Sequence, residues 1–315
     1  MLKEGIYRMA TKKATSTKKS PARKSAAKTT VRTVKAESKP VEKTAIKPTV
    51  VTSTKPAKSV KLPDNIVNVV FAELIGTFVL TLVALATFTE TGPLYVGLAV
   101  SVLVMAVGAI SGAHINPAVT FGLWTMRKLK TVLVPFYWGA QFLGAMLAVI
   151  VMNWVASNSL NLNFNHIWSL NWPVLGVELV GTAVFMFGFA ATISHRELST
   201  GARAVGIGAS ILVGLVVAGT LLTAIKNNDI AAYQKEAQSS SKSPEIPHSV
   251  FVKGATLNPA VALASVEHTQ SELMSSSTGE KEDTYSRFTS EVVLGTLVGA
   301  ALGGNLYALL AGRKK

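Results

Sequence analysis

From Asp64 to the end of the chain, long apolar runs alternate with short polar segments. A helix that crosses the hydrocarbon core of a bilayer needs roughly 20 mostly apolar residues. Six runs have about this length, so the pattern predicts six transmembrane helices in an all-α membrane protein. The predicted spans are residues 66–88, 94–111, 132–156, 173–194, 203–225 and 287–311.

Two further apolar runs, residues 116–126 and 258–267, are too short to cross a membrane, and each begins with NPAV. Asn is a favoured cap for a helix N-terminus, and Pro is favoured at the first helical position. The runs therefore predict two re-entrant half-helices that begin at Asn116 and Asn258. Non-helical backbone at membrane depth is tolerated only where protein buries it or where it lines a water-filled cavity. The pair thus predicts a pore or a binding cavity.

The chain contains an internal repeat whose two copies carry these half-helices. Residues 71–77 (FAELIGT) match residues 176–182 (GVELVGT), and residues 112–119 (GAHINPAV) match residues 254–261 (GATLNPAV). The first match pairs a glutamate in span one with a glutamate in span four. Each copy has three spans, an odd number, so the two copies are predicted to face opposite ways across the membrane.

The repeat divides the membrane part, residues 63–315, into a first copy at about 66–156 and a second at about 173–311. The second copy carries a polar insert at about 226–253, ahead of its half-helix. A long loop at such a place is either functional or disordered. We expect this one to be a flexible, solvated segment.

Lysine and arginine are distributed unevenly among the predicted loops. They occur between spans two and three, between spans four and five, and after span six, whereas residues 89–93 and 157–172 contain none. By the positive-inside rule, this distribution predicts that both termini are cytoplasmic. We expect a multi-pass protein of the cell (plasma) membrane.

The net charge of +14 belongs to one segment: residues 1–62 carry 17 Lys and Arg against 3 Asp and Glu. This segment has too few apolar residues to form a core, so we expect a disordered basic cytoplasmic tail. Such a tail is suited to anionic lipid, at about 1 kcal/mol per cation near the surface. Its positive charge is also suited to phosphate contacts with nucleic acid. Such binding would be nonspecific, because the tail has a single aromatic residue, Tyr7, on which a base could stack.

The sequence offers little for metal, cofactor or enzyme chemistry. It contains no cysteine, its five histidines lie far apart, and it has no HExxH motif, phosphate-binding loop or dinucleotide-binding glycine pattern. Beyond the two paired glutamates, we expect the spans to offer no acid–base pair and no carboxylate for ion coupling. We therefore predict no metal, no cofactor and no enzymatic activity.

Together these features resemble the aquaporin (major intrinsic protein) superfamily over roughly residues 66–311. The resemblance lies in the glutamates of spans one and four, the segments SGAHINPAV and GATLNPAV, Gln141 in AQFLGA, and G-x3-G-x3-G at 295–303. It implies an aquaporin-like inverted repeat and a passive channel for water or small neutral solutes such as glycerol. It also implies a homotetramer.

The resemblance further implies roles for individual residues. The Asn-Pro-Ala elements would form the pore centre, where amides replace the hydrogen bonds of a passing solute and the half-helix N-termini disfavour protons and cations. Two glutamates would hold the adjoining loops, and a histidine would either face the pore or pack beside it. The pore residues are Asn116, Pro117, Ala118, Asn258, Pro259 and Ala260, and the supporting residues are Glu73, Glu178 and His114.

One position departs from the family pattern. Val261 stands where the second half-motif of the family usually has an arginine, which lines an outer constriction. By gap-free counting, the other constriction residues would be Val96, Leu215 and Ala255. We therefore expect an apolar constriction, wider than a strict water filter, and the choice between water and glycerol-sized solutes stays open.

Two other functions fit parts of the pattern. Inverted repeats with broken helices also occur in ion-coupled secondary transporters, which accumulate a solute against its gradient. Alternatively, the helices serve as a membrane tether for a tail that binds nucleic acid. Deletion of residues 1–62 would abolish function in a tether and leave permeation intact in a channel.

Overall fold

The computed structural model of the chain describes residues 62–87, 92–156, 162–239, 244–274 and 283–312. The predicted disordered tail, residues 1–62, lies outside these ranges apart from Leu62. The described residues form helices joined by short connections. In chain order the helices are α1 (Ile66–Ala86), α2 (Gly92–Ser111), α3 (Pro117–Thr125), α4 (Val134–Ala156), α5 (Trp172–Ser194), α6 (Thr200–Ser239), α7 (His248–Phe251), α8 (Pro259–Ala264), α9 (Gln270–Met274) and α10 (Ser290–Leu310).

Three smaller elements complete the described chain. A single 3₁₀ turn (Thr131–Leu133) precedes α4, and two short strands, β1 (Leu162–Asn163) and β2 (Thr284–Tyr285), pair in parallel. The strand pair joins the segment before α5 to the segment before α10. It therefore holds together two connections that lie more than a hundred residues apart in the chain.

Six of the helices, α1, α2, α4, α5, α6 and α10, are long and apolar enough to cross a membrane. This finding confirms the six predicted spans, and α3 and α8 confirm the two predicted half-helices. Large apolar side chains such as Val67, Phe71 and Val102 are exposed on the long helices. An exposed apolar surface of this kind suits contact with lipid rather than water.

The helix contacts repeat between the two halves of the chain. In the first half α1 packs against α4, and in the second half α5 packs against α10. The half-helices are exchanged, because α3 packs against α10 of the second half and α8 packs against α4 of the first. Helices α2 and α6 meet between the two halves. This pattern agrees with the predicted inverted repeat.

Small residues allow the paired helices to approach closely. A Cβ at Gly299 or Gly303 of α10 would collide with the backbone carbonyl of Leu179 or Ala183 in α5. A Cβ at Gly144 of α4 would collide with α1 in the same way, at the carbonyl of Leu74. Close contacts at small residues are typical of helix packing in membranes.

The polar insert predicted at 226–253 differs from expectation at both of its ends. Residues 226–239 continue α6 without a break, which makes this helix 40 residues long, or about 60 Å. The segment KNNDIAAYQKEAQS lacks Gly and Pro and contains several strong helix formers, so nothing stops the helix where the membrane span ends. At the other end, Ser249 and Val252 are buried. The structure therefore differs from the expected loop, because residues 226–239 are helical, although mostly exposed, and Ser249 and Val252 are buried rather than solvated.

Candidate functional site

Each half-helix begins at an asparagine whose side chain caps it. The Oδ1 atom of Asn116 accepts the N–H of Ala118 at 2.8 Å. The Oδ1 atom of Asn258 accepts the N–H groups of Ala260 at 3.0 Å and Val261 at 3.4 Å. The proline after each asparagine occupies the first helical position, where a missing N–H costs no hydrogen bond.

The two half-helix N-termini are joined by their asparagines. The Nδ2 atom of Asn116 donates to the carbonyl of Leu257 at 2.8 Å, and the Nδ2 atom of Asn258 donates to the carbonyl of Ile115 at 3.1 Å. Both asparagines are 3% exposed, and both line a central cavity. Because an amide NH₂ carries two donor hydrogens, each asparagine retains one donor for a molecule in that cavity.

The loops that lead into the half-helices have an unusual backbone. Ala113 (φ 49°), Ile115 (φ 43°) and Leu257 (φ 50°) are in the left-handed region, which non-glycine residues rarely occupy. A β-branched residue such as Ile115 is especially unfavourable there. Each such residue costs roughly 1–3 kcal/mol, so the surrounding structure must hold the loops in place.

A buried glutamate holds the first loop. The Oε1 atom of Glu73 accepts the N–H of His114 at 2.9 Å, and its Oε2 atom accepts the N–H of Ile115 at 2.7 Å. Its other donors are neutral side chains, the hydroxyl of Ser111 at 2.6 Å and the amide of Gln141 at 2.8 Å. The negative charge is therefore stabilised by four hydrogen bonds.

The second loop is held in the same way but with a different neighbour. Glu178 accepts the N–H groups of Thr256 at 3.0 Å and Leu257 at 2.9 Å. Behind it lies the guanidinium of Arg287, whose Nη2 atom is 3.9 Å from Glu178 Oε1. A buried cation therefore stands where the first repeat has neutral donors.

His114 both packs and faces the cavity. Its ring stacks on Tyr137 with a centroid distance of 4.3 Å, and its Nδ1 atom lies 3.1 Å from the hydroxyl of Thr120. The residue also contributes to the lining of the central cavity. The two alternatives for this histidine, packing beside the pore and facing it, each describe part of its surroundings.

The central cavity has a volume of about 910 Å³ and extends from the two asparagines to the side of the bundle that carries α7. The four residues proposed for the constriction, Val96, Leu215, Ala255 and Val261, all line it. Its lining also includes Lys226, Lys253, His268 and several threonines. Among the described residues, no aspartate or glutamate lines the cavity.

The predicted sixth span begins with a buried ion pair that the paired glutamates did not indicate. Glu291, in the first turn of α10, is buried and lies 3.2 Å from Arg287, which is also buried. The sequence contained a signal for this pair, because an arginine and a glutamate four residues apart stand at the start of a predicted span, where charges are costly. Within the described part of the chain, no group of three His, Cys, Asp or Glu side chains is arranged to hold a metal ion.

Comparison with known proteins finds a family model and several relatives. Residues 91–228 match the family described as Major intrinsic protein. Aquaporin NIP2-3 of Zea mays is 34% identical over 173 residues, which cover 51% of this chain and 56% of the maize protein. Aquaporin-1 of Sus scrofa is 35% identical over 127 residues, which cover 39% of this chain and 47% of the pig protein.

Aquaporin-5 of Mus musculus is 30% identical over 171 residues, covering 53% of this chain and 63% of the mouse protein. The chain thus spans about half the length of the curated relatives that it matches. Among solved structures, the aquaglyceroporin from Plasmodium falciparum is matched over 79% of this chain and 96% of that chain. The sequence identity is 22% and the TM-score is 0.46.

Proposed function

We propose that this chain, which belongs to the major intrinsic protein (aquaporin) superfamily, forms a passive channel for water and small neutral solutes. The observation that carries the proposal is the junction between the half-helices. There, Asn116 and Asn258 cap their own helices, bond to each other's loops and line one cavity. This arrangement offers two fixed amide donors at the meeting point of the two repeats.

A water molecule or hydroxyl group at this point accepts hydrogen bonds from the two remaining amide hydrogens. The backbone carbonyls of residues 112–115 and 254–257 supply acceptors along the approach. The rest of the wall is largely aliphatic, with side chains such as Leu80, Val100 and Ile211. A neutral solute therefore exchanges its hydrogen bonds with bulk water for a short series of bonds with the protein.

Cations are disfavoured along the same route. The first N–H groups of both half-helices carry partial positive charge, and Lys226 and Lys253 add full charges to the cavity lining. None of the described lining residues offers a carboxylate that would compensate a cation or proton there. The same feature argues against an ion-coupled transporter, which needs a site for the coupling ion.

The substrate range follows from position 261. Val261 lines the cavity beside Val96, Leu215 and Ala255, so the constriction that we propose there is apolar and carries no charged side chain. We infer that glycerol-sized neutral solutes pass as well as water. We also infer, from the distribution of Lys and Arg, that both termini are cytoplasmic in the plasma membrane. A homotetramer is the assembly that the family implies.

The test is a paired permeability measurement. Proteoliposomes that contain the protein, and empty liposomes of the same lipid, are exposed to an osmotic jump with an impermeant solute and then with glycerol. We expect faster shrinkage than in empty liposomes and faster glycerol entry. Unchanged rates for both solutes would overturn the proposal. Retention of permeability after deletion of residues 1–62 would exclude a tether whose activity resides in the tail.

A further inference from the structure

A cluster of charged side chains lies behind the second pore loop, on the side of the bundle that carries α7. We call His166, His248, Glu267, Arg287 and Glu291 the charged cluster. Its three central members are almost fully buried: Glu267 is 3% exposed, Arg287 is 1% exposed and Glu291 is 0% exposed. The cluster borders a second cavity of about 870 Å³, which His166, His248 and Glu267 help to line.

One guanidinium serves three carboxylates in this region. The Nη1 atom of Arg287 donates to Glu291 Oε1 at 3.2 Å and to Glu267 Oε1 at 3.4 Å. Its Nη2 atom makes no hydrogen bond among the described residues and faces Glu178 Oε1 at 3.9 Å. The backbone N–H of Arg287 donates to the carbonyl of Ser265, just after α8. The attraction between Arg287 and Glu178 is therefore one of charge.

This attraction is connected to the pore by direct contacts. Glu178 accepts the N–H of Leu257, which is one of the left-handed residues of the second loop. The carbonyl of Leu257 in turn accepts the side-chain amide of Asn116. Any change in the position of the Glu178 carboxylate thus reaches the asparagine pair through two hydrogen bonds.

We propose that Arg287 is a positioning residue of the pore, which holds Glu178 and hence the second loop in the conducting arrangement, and that protonation of His248 controls how firmly it does so. The inference rests on the proposed channel function and assigns this channel a proton-binding site outside its pore. Among the residues that the structure describes, no corresponding cation contacts Glu73 in the first repeat. The control therefore acts on one repeat only.

The charge balance of the cluster explains why a proton matters. Three buried carboxylates, Glu178, Glu267 and Glu291, face one guanidinium, and unbalanced buried charge is costly. The Nε2 atom of His248 lies 3.0 Å from Glu291 Oε1 and 3.8 Å from Glu267 Oε1. The hydrogen bond with Glu291 raises the pKa of His248 above its usual 6.5, against the effects of burial and of Arg287.

The direction of the pH effect follows from this raised pKa. The stabilisation by protonated His248 is complete below pH 6.5, its value in the unfolded chain, and is lost as the pH rises through the higher folded value. Without that positive charge, Arg287 alone must balance Glu267 and Glu291, and its hold on Glu178 weakens. We expect permeability to fall as the pH rises through this range.

Two of the neighbouring titratable groups are bonded to residues outside the charged cluster. Asp229 of α6 is bonded to Ser249, and His268 is bonded to Glu272 at 2.9 Å. His166 shares Glu267 with Arg287, at 3.3 Å, and is the second histidine of the cluster. The titratable and charged groups that line the two cavities, or that contact His248 and its neighbours, are Lys226, Asp229, Glu245, His166, Lys253, Glu267, His268, Glu272, Asp283, Tyr285, Arg287 and Glu291.

The test measures water permeability of proteoliposomes between about pH 5 and about pH 8, the range in which histidine titrates. We expect wild-type permeability to fall about fivefold across this range. This factor is at the lower end of the effects that binding at one site typically has on another site. His248→Gln should give a flat profile, whereas His195→Gln, an exposed histidine after α5, should keep the wild-type profile. A His248→Gln profile identical to the wild type would overturn the inference.

Arginine variants test the positioning role itself. Arg287→Gln should give low permeability at every pH, Arg287→Lys should restore part of it, and the exposed Arg196→Gln should behave as the wild type. Equal permeability in Arg287→Gln and the wild type would overturn the inference even where the His248 result agrees with it. Because His248 is partly exposed, its variant remains informative if Arg287→Gln fails to fold.

A measurement without transport separates this inference from the proposed function. The Tm of the detergent-solubilised wild type should fall by about 3 °C as the pH rises from 6.5 to 8. His248→Gln should lack that fall. A wild type that does not conduct would contradict the channel. Identical Tm profiles in the two proteins would contradict the role of His248.

Discussion

Two glutamates at equivalent positions perform the same task in different electrostatic surroundings. Glu73 and Glu178 each accept two N–H groups from a strained loop. Within the described ranges, a guanidinium lies beside Glu178 and none lies beside Glu73. Removal of the negative charge therefore has different consequences in the two repeats. At Glu73 it disturbs hydrogen bonds among neutral groups, whereas at Glu178 it also leaves a buried cation with one fewer counterion.

Glutamine substitutions measure this difference. We expect Glu73→Gln to lower the free energy of unfolding by about 1–3 kcal/mol, the cost of buried donors left without an acceptor. Glu178→Gln should cost more, about 3–5 kcal/mol, because it also breaks a buried ion pair. Thermal unfolding in detergent gives the comparison, with the exposed Glu197→Gln as the control. Equal losses at the two positions would show that Arg287 does not interact with Glu178.

Position 261 tests the proposed selectivity at the scale of one side chain. Val261→Arg places a long cationic side chain in the cavity lining, which should lower glycerol permeability relative to water. Val261→Leu adds bulk without charge and separates the two effects. Stopped-flow light scattering with each solute gives the ratio. An unchanged ratio in Val261→Arg would mean that this position does not line the narrowest part of the route.

Among the helices, α6 departs most from a simple membrane span. It continues for about four helical turns beyond the expected span end, to Ser239. Asp229 within this extension is bonded to Ser249, the residue after His248. The extension therefore contacts α7, the short helix that carries His248. Its exposed residues include Ala231 and Ala232.

A proline in the extension should disrupt it locally. Ala232→Pro removes one backbone hydrogen bond and clashes with the preceding turn, at a cost of about 3 kcal/mol or more in a helix interior. We expect amide hydrogens of residues 229–239 to exchange faster in Ala232→Pro than in the wild type or in the control Ala232→Ser. The apolar part of α6 should keep its protection. Equal exchange in all three proteins would contradict a continuous helix.

At this scale the elements divide into those that were predictable and those that were not. The six spans and both half-helices follow from run length and from Asn-Pro, because these are local properties of the sequence. The extension of α6 was missed because polarity was taken as a sign of a loop, although KNNDIAAYQKEAQS contains no helix breaker. The charged cluster brings together residues 166, 248, 267, 287 and 291. These are far apart in the sequence except for the last two, so no local sequence pattern indicates that all five lie together.

The whole molecule combines a symmetric pore with an asymmetric support. The crossed asparagines and the two loop-holding glutamates obey the repeat, whereas Arg287, Glu291 and the α6 extension belong to the second copy alone. The symmetric part accounts for the proposed permeation. The asymmetric part accounts for the proposed dependence on pH, and it lies on one side of the bundle only.

The proposed orientation can be tested with single cysteines, because the chain contains none of its own. A membrane-impermeant maleimide should label Asn165→Cys in intact cells, since this exposed residue precedes α5 on the side of α7. Glu197→Cys, exposed between α5 and α6, should be labelled only after permeabilisation. The reverse pattern would place both termini outside the cell and contradict the positive-inside assignment.

The most direct test of a channel that passes neutral molecules and excludes ions measures both fluxes on the same proteoliposomes. Osmotic shrinkage reports water movement, and the decay of imposed potassium and proton gradients reports ion leakage. We predict shrinkage well above that of empty liposomes, with ion leakage equal to theirs. Shrinkage no faster than in empty liposomes, or fast shrinkage together with a potassium or proton leak, would contradict the proposed function.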